Sequence, residues 1–340
     1  MKVLGFSQGK LVPSSRFRLN SLIKELSYYE INLDVSYPLI SAYPPVKNKL
    51  FRILWFITEY AYSFWRLRRG NNFSAVILQR ELISTFATFE HLLNVPIILD
   101  VDDAVWLSRE GNGINKIAKI ADIIVCGNKF IADYFSQQGH QVVIIPTSVD
   151  IDKYKPNLKL ASVTKEVVIG WSGTSSGFKY LYDIETALIN TIREFKGVKI
   201  RIISDRRPNF KLLNNDDYEF VKWTTENEVS LIQGIDIGIM PILRDDWSNG
   251  KCSYKMLLYM ACEKPVIATD FGMNNEVLSK GNVGIGVNSA EDWYEAFATL
   301  IKNSELRKEM GRTGRFVIEQ DYSSTIIAEK LANVLKSISK

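Results

Sequence analysis

Histidine is nearly absent from these 340 residues. Only His91 and His140 occur, which excludes a site built on several histidine ligands. Cysteine is scarce as well: Cys126, Cys252 and Cys262 are an odd number at no metal-ligand spacing. That excludes a disulfide framework and points to reduced thiols of a cytosolic protein. A large net charge is missing, and +4 over the whole chain is too little to suggest a nucleic-acid partner. There is no internal repeat, no low-complexity tract, no dinucleotide-binding G-x-G-x-x-G and no Walker loop. The chain starts directly on a strand-like run, Met1 to Phe6, so no signal peptide is expected.

What the chain does contain is an alternation of short apolar runs and helical patterns. Its length suggests two domains. In the first half the runs fall at Lys2–Phe6, Leu33–Tyr37, Ala75–Leu78, Ile97–Val101, Ile123–Cys126 and Val142–Ile145. In the second they fall at Val167–Trp171, Lys199–Ile203, Tyr218–Val221, Ile235–Met240, Val266–Ala268 and Val283–Ile285. Several lack polar alternation, as strands covered by helices on both faces do. A polar segment from about Pro146 to Lys165 reads as a hinge. The expected division is residues 1–155, residues 156–322 and a closing helix in 323–340, whose apolar side packs back toward the first domain. The fold class is α/β, with two doubly wound Rossmann-like domains facing across a cleft.

Two stretches of the second half carry candidate chemistry. In 235–270 a strand, Ile235 to Ile242, leads through a polar loop, Arg244 to Gly250, into a short helix from about Ser253 to Cys262. Lys251 and Lys255 stand at the amino end of that helix, where the dipole and unbonded amides already make the potential positive. A bound phosphate would make such cations favourable; solvated surface lysines are the competing reading. In EVVIGWSGTSSGFKYLYDI a strand ends near Trp171, and a loop with Gly173, Thr174, Ser175, Ser176 and Gly177 precedes a helix near Phe178. Such a loop can cradle phosphate on its amides or simply turn the chain.

The runs IPTSVDIDKY (145–154), VIGWSGTSS (168–176), IDIGIMPI (235–242), GKCSYKMLLYMACEKPVIATD (250–270) and GMNNEVL (272–278) resemble the nucleotide-sugar domain of glycosyltransferase family 4, whose enzymes have the GT-B fold. PSSRFRLNSLIKEL (13–26), VILQREL (76–82) and PIILDVDDAVW (96–106) resemble the first domain of a bacterial branch of that family. The resemblance implies transfer of a sugar from a nucleotide-diphosphate donor, UDP-sugar first, with retention of configuration. It also implies no cofactor and no metal. The acceptor it suggests is a lipid-linked glycan for capsule, O-antigen or a similar surface polysaccharide.

On this reading Gly173, Thr174, Lys251, Ser253, Tyr254, Lys255 and Arg206 bind the donor phosphates, and Lys255 is also catalytic. Asp102, where many relatives have a histidine, is the second catalytic residue, facing the sugar or acceptor. Trp223 lies where the family holds the base. Arg16, Arg18, Glu81 and Asp103 are acceptor candidates. One departure is marked: the family's two glutamates, eight residues apart, fall on Gly250 and Leu258. Asp245, Asp246 or Asn249 are then the candidates for the donor sugar. The same departure keeps a non-catalytic partner subunit open as an alternative, beside an epimerase or phosphorylase on the same fold.

Residues 47–69, KNKLFRILWFITEYAYSFWRLRR, are rich in aromatics and flanked by basic residues. The run is short of the roughly 20 apolar residues a bilayer span needs. It reads as an anchor lying on an anionic membrane, with Trp55 and Trp65 at the interface, or as a core helix. Residues 1–80 hold twelve Lys/Arg against four Asp/Glu, which favours the membrane. The expected location is the cytoplasm, peripheral on the inner face of the cell membrane.

Overall fold

The computed structural model describes residues 1–45, 49–108, 111–157 and 166–338. Part of the expected hinge, 158–165, and residues 47 and 48 of the aromatic run lie outside them. The described chain forms two compact units, one from Met1 to Ser148 and one built on Val149–Asn249 and Ser253–Ser323. Gly250–Cys252 and the segment from Ser324 onward group with the first unit.

The first unit is a six-stranded sheet of β1 (Lys2–Phe6), β2 (Asn32–Ser36), β3 (Ala75–Gln79), β4 (Ile97–Val101), β5 (Ile123–Cys126) and β6 (Val142–Ile144). Every strand pair is parallel, in the order β2-β1-β3-β4-β5-β6. Residues of β3 and β4 are buried throughout, which is why neither sequence alternates. The closing helix, Ser324–Ser337, places Ile327, Leu331 and Leu335 in the core with Val3, Leu22, Ile77 and Ile98.

The second unit has β7 (Val167–Ser172), β8 (Val198–Ser204), β9 (Tyr218–Lys222), β10 (Ile237–Met240), β11 (Val266–Thr269) and β12 (Gly284–Val287). The order is β12-β11-β10-β7-β8-β9, again all parallel. Trp171, Phe178, Leu188, Ile202, Ile239 and Phe297 are central to its core. The direction of winding reverses between β7 and β10, so ligands of this sheet are expected beyond the carboxyl ends of those two strands.

The α/β architecture is as read from the sequence, with local differences. The apolar run Ile235 to Ile242 forms a strand only over Ile237–Met240. Asp236 is instead tied to Val168, whose amide donates to its Oδ2 at 2.8 Å, and Pro241, lacking an N–H, follows the last strand residue. The polar loop Arg244 to Gly250 contains a short helix, Asp246–Asn249. The aromatic run is a helix, Lys49–Gly70, that buries Trp55, Glu59, Ser63 and Arg66.

Candidate functional site

The two stretches singled out in the second half meet at the switch point of their sheet. Helix Tyr254–Ala261 follows β10, with Ser253 before it at φ 48°. The first bond of this helix runs from the Leu257 amide to Ser253 O, so the amides of its first turn have no acceptor within the helix. Tyr259, fully buried, accepts the Ser172 amide on its hydroxyl at 2.8 Å, locking the helix against the end of β7. Asn274, also fully buried, holds the entry: it accepts Ser253 Oγ at 2.6 Å and donates to Thr269 O and Met240 O.

Lys255 sits in the first turn with its ammonium 5.0 Å from the centroid of Trp171. A cation over an indole face at that distance is attracted by the ring quadrupole, by about 2 kcal/mol where water is excluded. The ring thus offsets part of the cost of a lysine at a helix amino end. Gly173 completes the contact. A Cβ there would lie 2.6 Å from Lys255 Cε and 2.8 Å from the Trp171 ring, so only glycine lets the loop pass.

The loop after β7 is nonetheless not the amide cradle expected. The Gly173 amide donates to Ile203 O at 3.0 Å, and the Gly177 amide to Thr174 O at 2.9 Å. Ser175 gives its amide and its hydroxyl to Asp205, at 2.6 and 3.0 Å. Burial raises the Asp205 pKa, but the bonds from Ser175 and Ser204 outweigh it and hold the carboxyl below its usual range. The Asp205 carboxylate thus takes both Ser175 donors. Thr174 bonds Ser176 side chain to side chain. Gly173 therefore shapes the site rather than donating its amide to a ligand, and the candidates to face an anion are the first turn of Tyr254–Ala261 and Lys255.

Around this centre the remaining candidates are dispersed. Arg206 is exposed beyond β8. Trp223, half-buried after β9, has its amide on Ser204 O and its indole N–H on Glu228. Asp245 caps the short helix Asp246–Asn249 through the Ser248 amide at 2.7 Å, while Asp246 is exposed and Asn249 lies against Gly272. The two positions that replace the family glutamates have physical reasons. A Cβ at Gly250 would come within 2.5 Å of Ala104 Cβ and 2.8 Å of its nitrogen, so no side chain fits. Leu258 is buried among the apolar residues of its helix.

In the first unit the carboxyl edge is crowded with ion pairs. Arg18 donates from Nε to both oxygens of Asp100, at 3.0 and 2.9 Å, and from Nη1 to Ile145 O and Thr147. Only 6% of the residue is exposed. Burial disfavours its charge, but Asp100 outweighs burial and raises its pKa. Arg18 was expected to meet an acceptor from a basic loop; its donors are instead spent on the sheet edge. Glu81 is corrected likewise. It is buried, with its pKa raised by that burial, and it accepts the Ile114 amide near the start of helix Asn112–Ala118. Arg16 lies over its neighbour Phe17, at 4.5 Å.

Arg80, at φ 59°, follows β3 and pairs with both Asp102 and Asp103. Burial works against its charge and the two carboxylates prevail, raising its pKa. Lys251 reads with Lys255 as a phosphate ligand in the sequence. It belongs to Gly250–Cys252, and its ammonium donates to Asp103 Oδ1 at 2.9 Å. Partial burial pushes the Asp103 pKa up, but Arg80 and Lys251 more than reverse this and lower it. Cys252 gives its thiol proton to Asp102 O at 3.1 Å. Asp100, Asp102 and Asp103 are thus each turned to a cation of the chain.

Four contributors escaped the sequence reading: Trp171, Tyr259, Asn274 and Arg80. Trp171 reads as the end of a core strand and Tyr259 as one residue of an apolar helix. An asparagine after a strand and an arginine between two acceptor candidates carry no spacing signal of their own.

This geometry sits in a segment with known relatives. Residues 167–303, from β7 past β12, match the family model described as Glycosyl transferases group 1. An uncharacterized glycosyltransferase of Methanocaldococcus jannaschii is 26% identical over 177 residues, 51% of this chain and 43% of that protein. The match thus takes in less than half of this curated relative. Among solved structures, sucrose-phosphate synthase from Thermosynechococcus elongatus superimposes with a TM-score of 0.72 at 12% identity, covering 99% of this chain and 98% of that one. HepE from Anabaena, in complex with UDP and glucose, gives 0.69 at 15% identity over 99% of this chain and 100% of its own. WaaG, a glycosyltransferase involved in lipopolysaccharide biosynthesis, gives 0.68 at 13% over 98% and 99%. At such identities the structures speak for the fold, which is the GT-B architecture. The family match thus covers residues 167–303, and the shared fold extends over nearly the whole chain.

Proposed function

We propose that this chain is a glycosyltransferase that takes a sugar from a nucleotide-diphosphate donor, a UDP-sugar first, and passes it to a lipid-linked glycan. The observation that carries the reading is the meeting of Lys255, the first-turn amides of its helix and the loop after β7 at the switch point of a group 1 glycosyltransferase segment. The structure of HepE with UDP and glucose supports the choice of donor. Retention of configuration and a setting in surface-polysaccharide synthesis are taken from family likeness.

In this account the donor diphosphate lies against the amino end of Tyr254–Ala261. As the glycosidic bond breaks, negative charge grows on the leaving phosphate. The amides and Lys255, already in place, stabilise that charge more than they stabilise the ground state. Trp171 and Gly173 fix where the ammonium stands. Asp246 and Asn249 are the candidates for the sugar hydroxyls, since Gly250 has no room for the family carboxylate. Asp102, held by Arg80, is assigned to the acceptor side.

The test is turnover of UDP-, GDP- and ADP-sugars with lipid-linked glycan, with and without EDTA. The reading expects transfer with one nucleotide class, retained configuration, and activity that survives chelation. Loss in EDTA with recovery in Mg²⁺ or Mn²⁺ removes the metal-free mechanism. Binding of no donor at all removes the catalytic assignment and favours a partner subunit.

A further inference from the structure

The helix Lys49–Gly70 leaves much of its apolar surface outside. Its buried side carries Trp55, Glu59, Ser63, Arg66, Leu67 and Gly70, so three polar side chains, Glu59, Ser63 and Arg66, lie inside at helical spacing. These residues are satisfied inside the unit: Glu59 accepts the amides of Leu39, Ile40 and Ser41, Trp55 donates to Ser41 O, and Arg66 donates to Ser7 O and Ser36 O. The opposite side is apolar and open. Ile53, Leu54, Ile57 and Trp65 are 58%, 61%, 59% and 65% exposed. Proteins in water rarely leave a large apolar helix face uncovered without a partner for it.

Charge identifies the partner. The ionisable residues on the exposed surface of this helix are Lys49, Arg52, Arg68 and Arg69, all basic; its single acid, Glu59, points inward. A second copy of the chain would set these cations against themselves. An anionic bilayer surface meets both features at once, taking the apolar stripe between its headgroups and the arginines on its phosphates. Among the described residues no helix is long and apolar enough to cross a membrane, so the contact is one of lying on the surface. We infer that the exposed stripe of Lys49–Gly70 docks the chain on anionic lipid. Trp65 enters the interface, whereas Trp55, once expected beside it, is an internal strut. The inference deepens the lipid-linked acceptor of the proposed function by giving the surface on which it is met, and the docking itself needs no transferase activity.

The test uses the full chain and vesicles of phosphatidylcholine, alone or mixed with phosphatidylglycerol. Co-sedimentation is expected with the mixed vesicles only and falls with added salt. It should drop at least about tenfold in Leu54→Glu/Ile57→Glu and in Arg52→Glu/Arg68→Glu, each basic residue counting for about fivefold. Both variants should keep the wild-type Tm and the Tm rise given by a binding nucleotide diphosphate, which separates docking from the donor site. Equal binding to both vesicle types, none to either, or binding unchanged in both folded variants overturns the inference. So does a concentration-dependent dimer that Leu54→Glu/Ile57→Glu disperses while the wild type ignores lipid.

Discussion

The two sheets end in opposite electrostatic solutions. At the carboxyl edge of the first, Arg18, Arg80 and Lys251 are each paired with a carboxylate from the loop after β4 or its last residues. At the edge of the second, Lys255 is held by a neutral ring at the positive end of a helix. The first arrangement uses charge to fix the chain and cancels it within hydrogen-bond distance. The second sets its cation against a ring face at the amino end of a helix, where an incoming anion is favoured. Similar residues in similar positions after parallel strands therefore do different work. The difference lies in the partner supplied rather than in the residue type.

Substitutions can sharpen this contrast. The largest effect is expected from Arg18→Ala, which leaves Asp100 buried without its cation and should cost about 3–5 kcal/mol of stability. Urea unfolding reads this directly, and donor turnover per folded molecule should stay near normal. Lys255→Ala should do the reverse. Its turnover should fall about 10²–10³-fold, with a smaller loss of donor affinity and little change in Tm. A large Tm drop without ligand would put Lys255 in the same structural class as Arg18. Next comes Trp171→Leu, which removes the ring under the ammonium. Folded enzyme should lose about tenfold in kcat, and Trp171→Phe, keeping a ring, should recover most of it.

The smallest effect concerns Asp103. Its folded pKa is lowered, Arg80 and Lys251 outweighing partial burial. Its contribution is therefore present above the ordinary carboxylate range, about 3.9, and is lost as pH falls through the lower folded value. Asp103→Asn should be less stable than wild type at neutral pH, and the gap should close in acid. A gap that persists at about pH 3 would show that packing, not the ion pairs, makes the difference.

The order of strands and helices was legible because buried parallel strands are continuous apolar runs, and Ile97–Val101 and Ile123–Cys126 came out to the residue. The helix at Tyr254–Ala261 was legible from its lysines and the Pro265 that follows. What stayed hidden depends on partners distant in sequence. Nothing near Arg18 shows that Asp100 lies beside it, and nothing near Lys251 shows Asp103. The glycine loop misled for the same reason, since its Gly173 and Ser175 amides are taken by Ile203 and Asp205, some 30 residues on. The helix Lys49–Gly70 was ambiguous because composition shows that aromatics abound but not which side they face.

The claim that the amino end of Tyr254–Ala261 holds the donor diphosphate is tested most directly by calorimetry. Whichever of UDP, GDP and ADP binds best is compared with its own nucleoside, in the wild type and in Lys255→Glu. The account predicts that the diphosphate binds at least about tenfold more tightly than the nucleoside in the wild type, one charged hydrogen bond being worth about 1.5–3 kcal/mol. It predicts that this advantage disappears in Lys255→Glu while nucleoside binding is unchanged. A wild type that binds both equally, or a Lys255→Glu chain that keeps the full advantage, would contradict it.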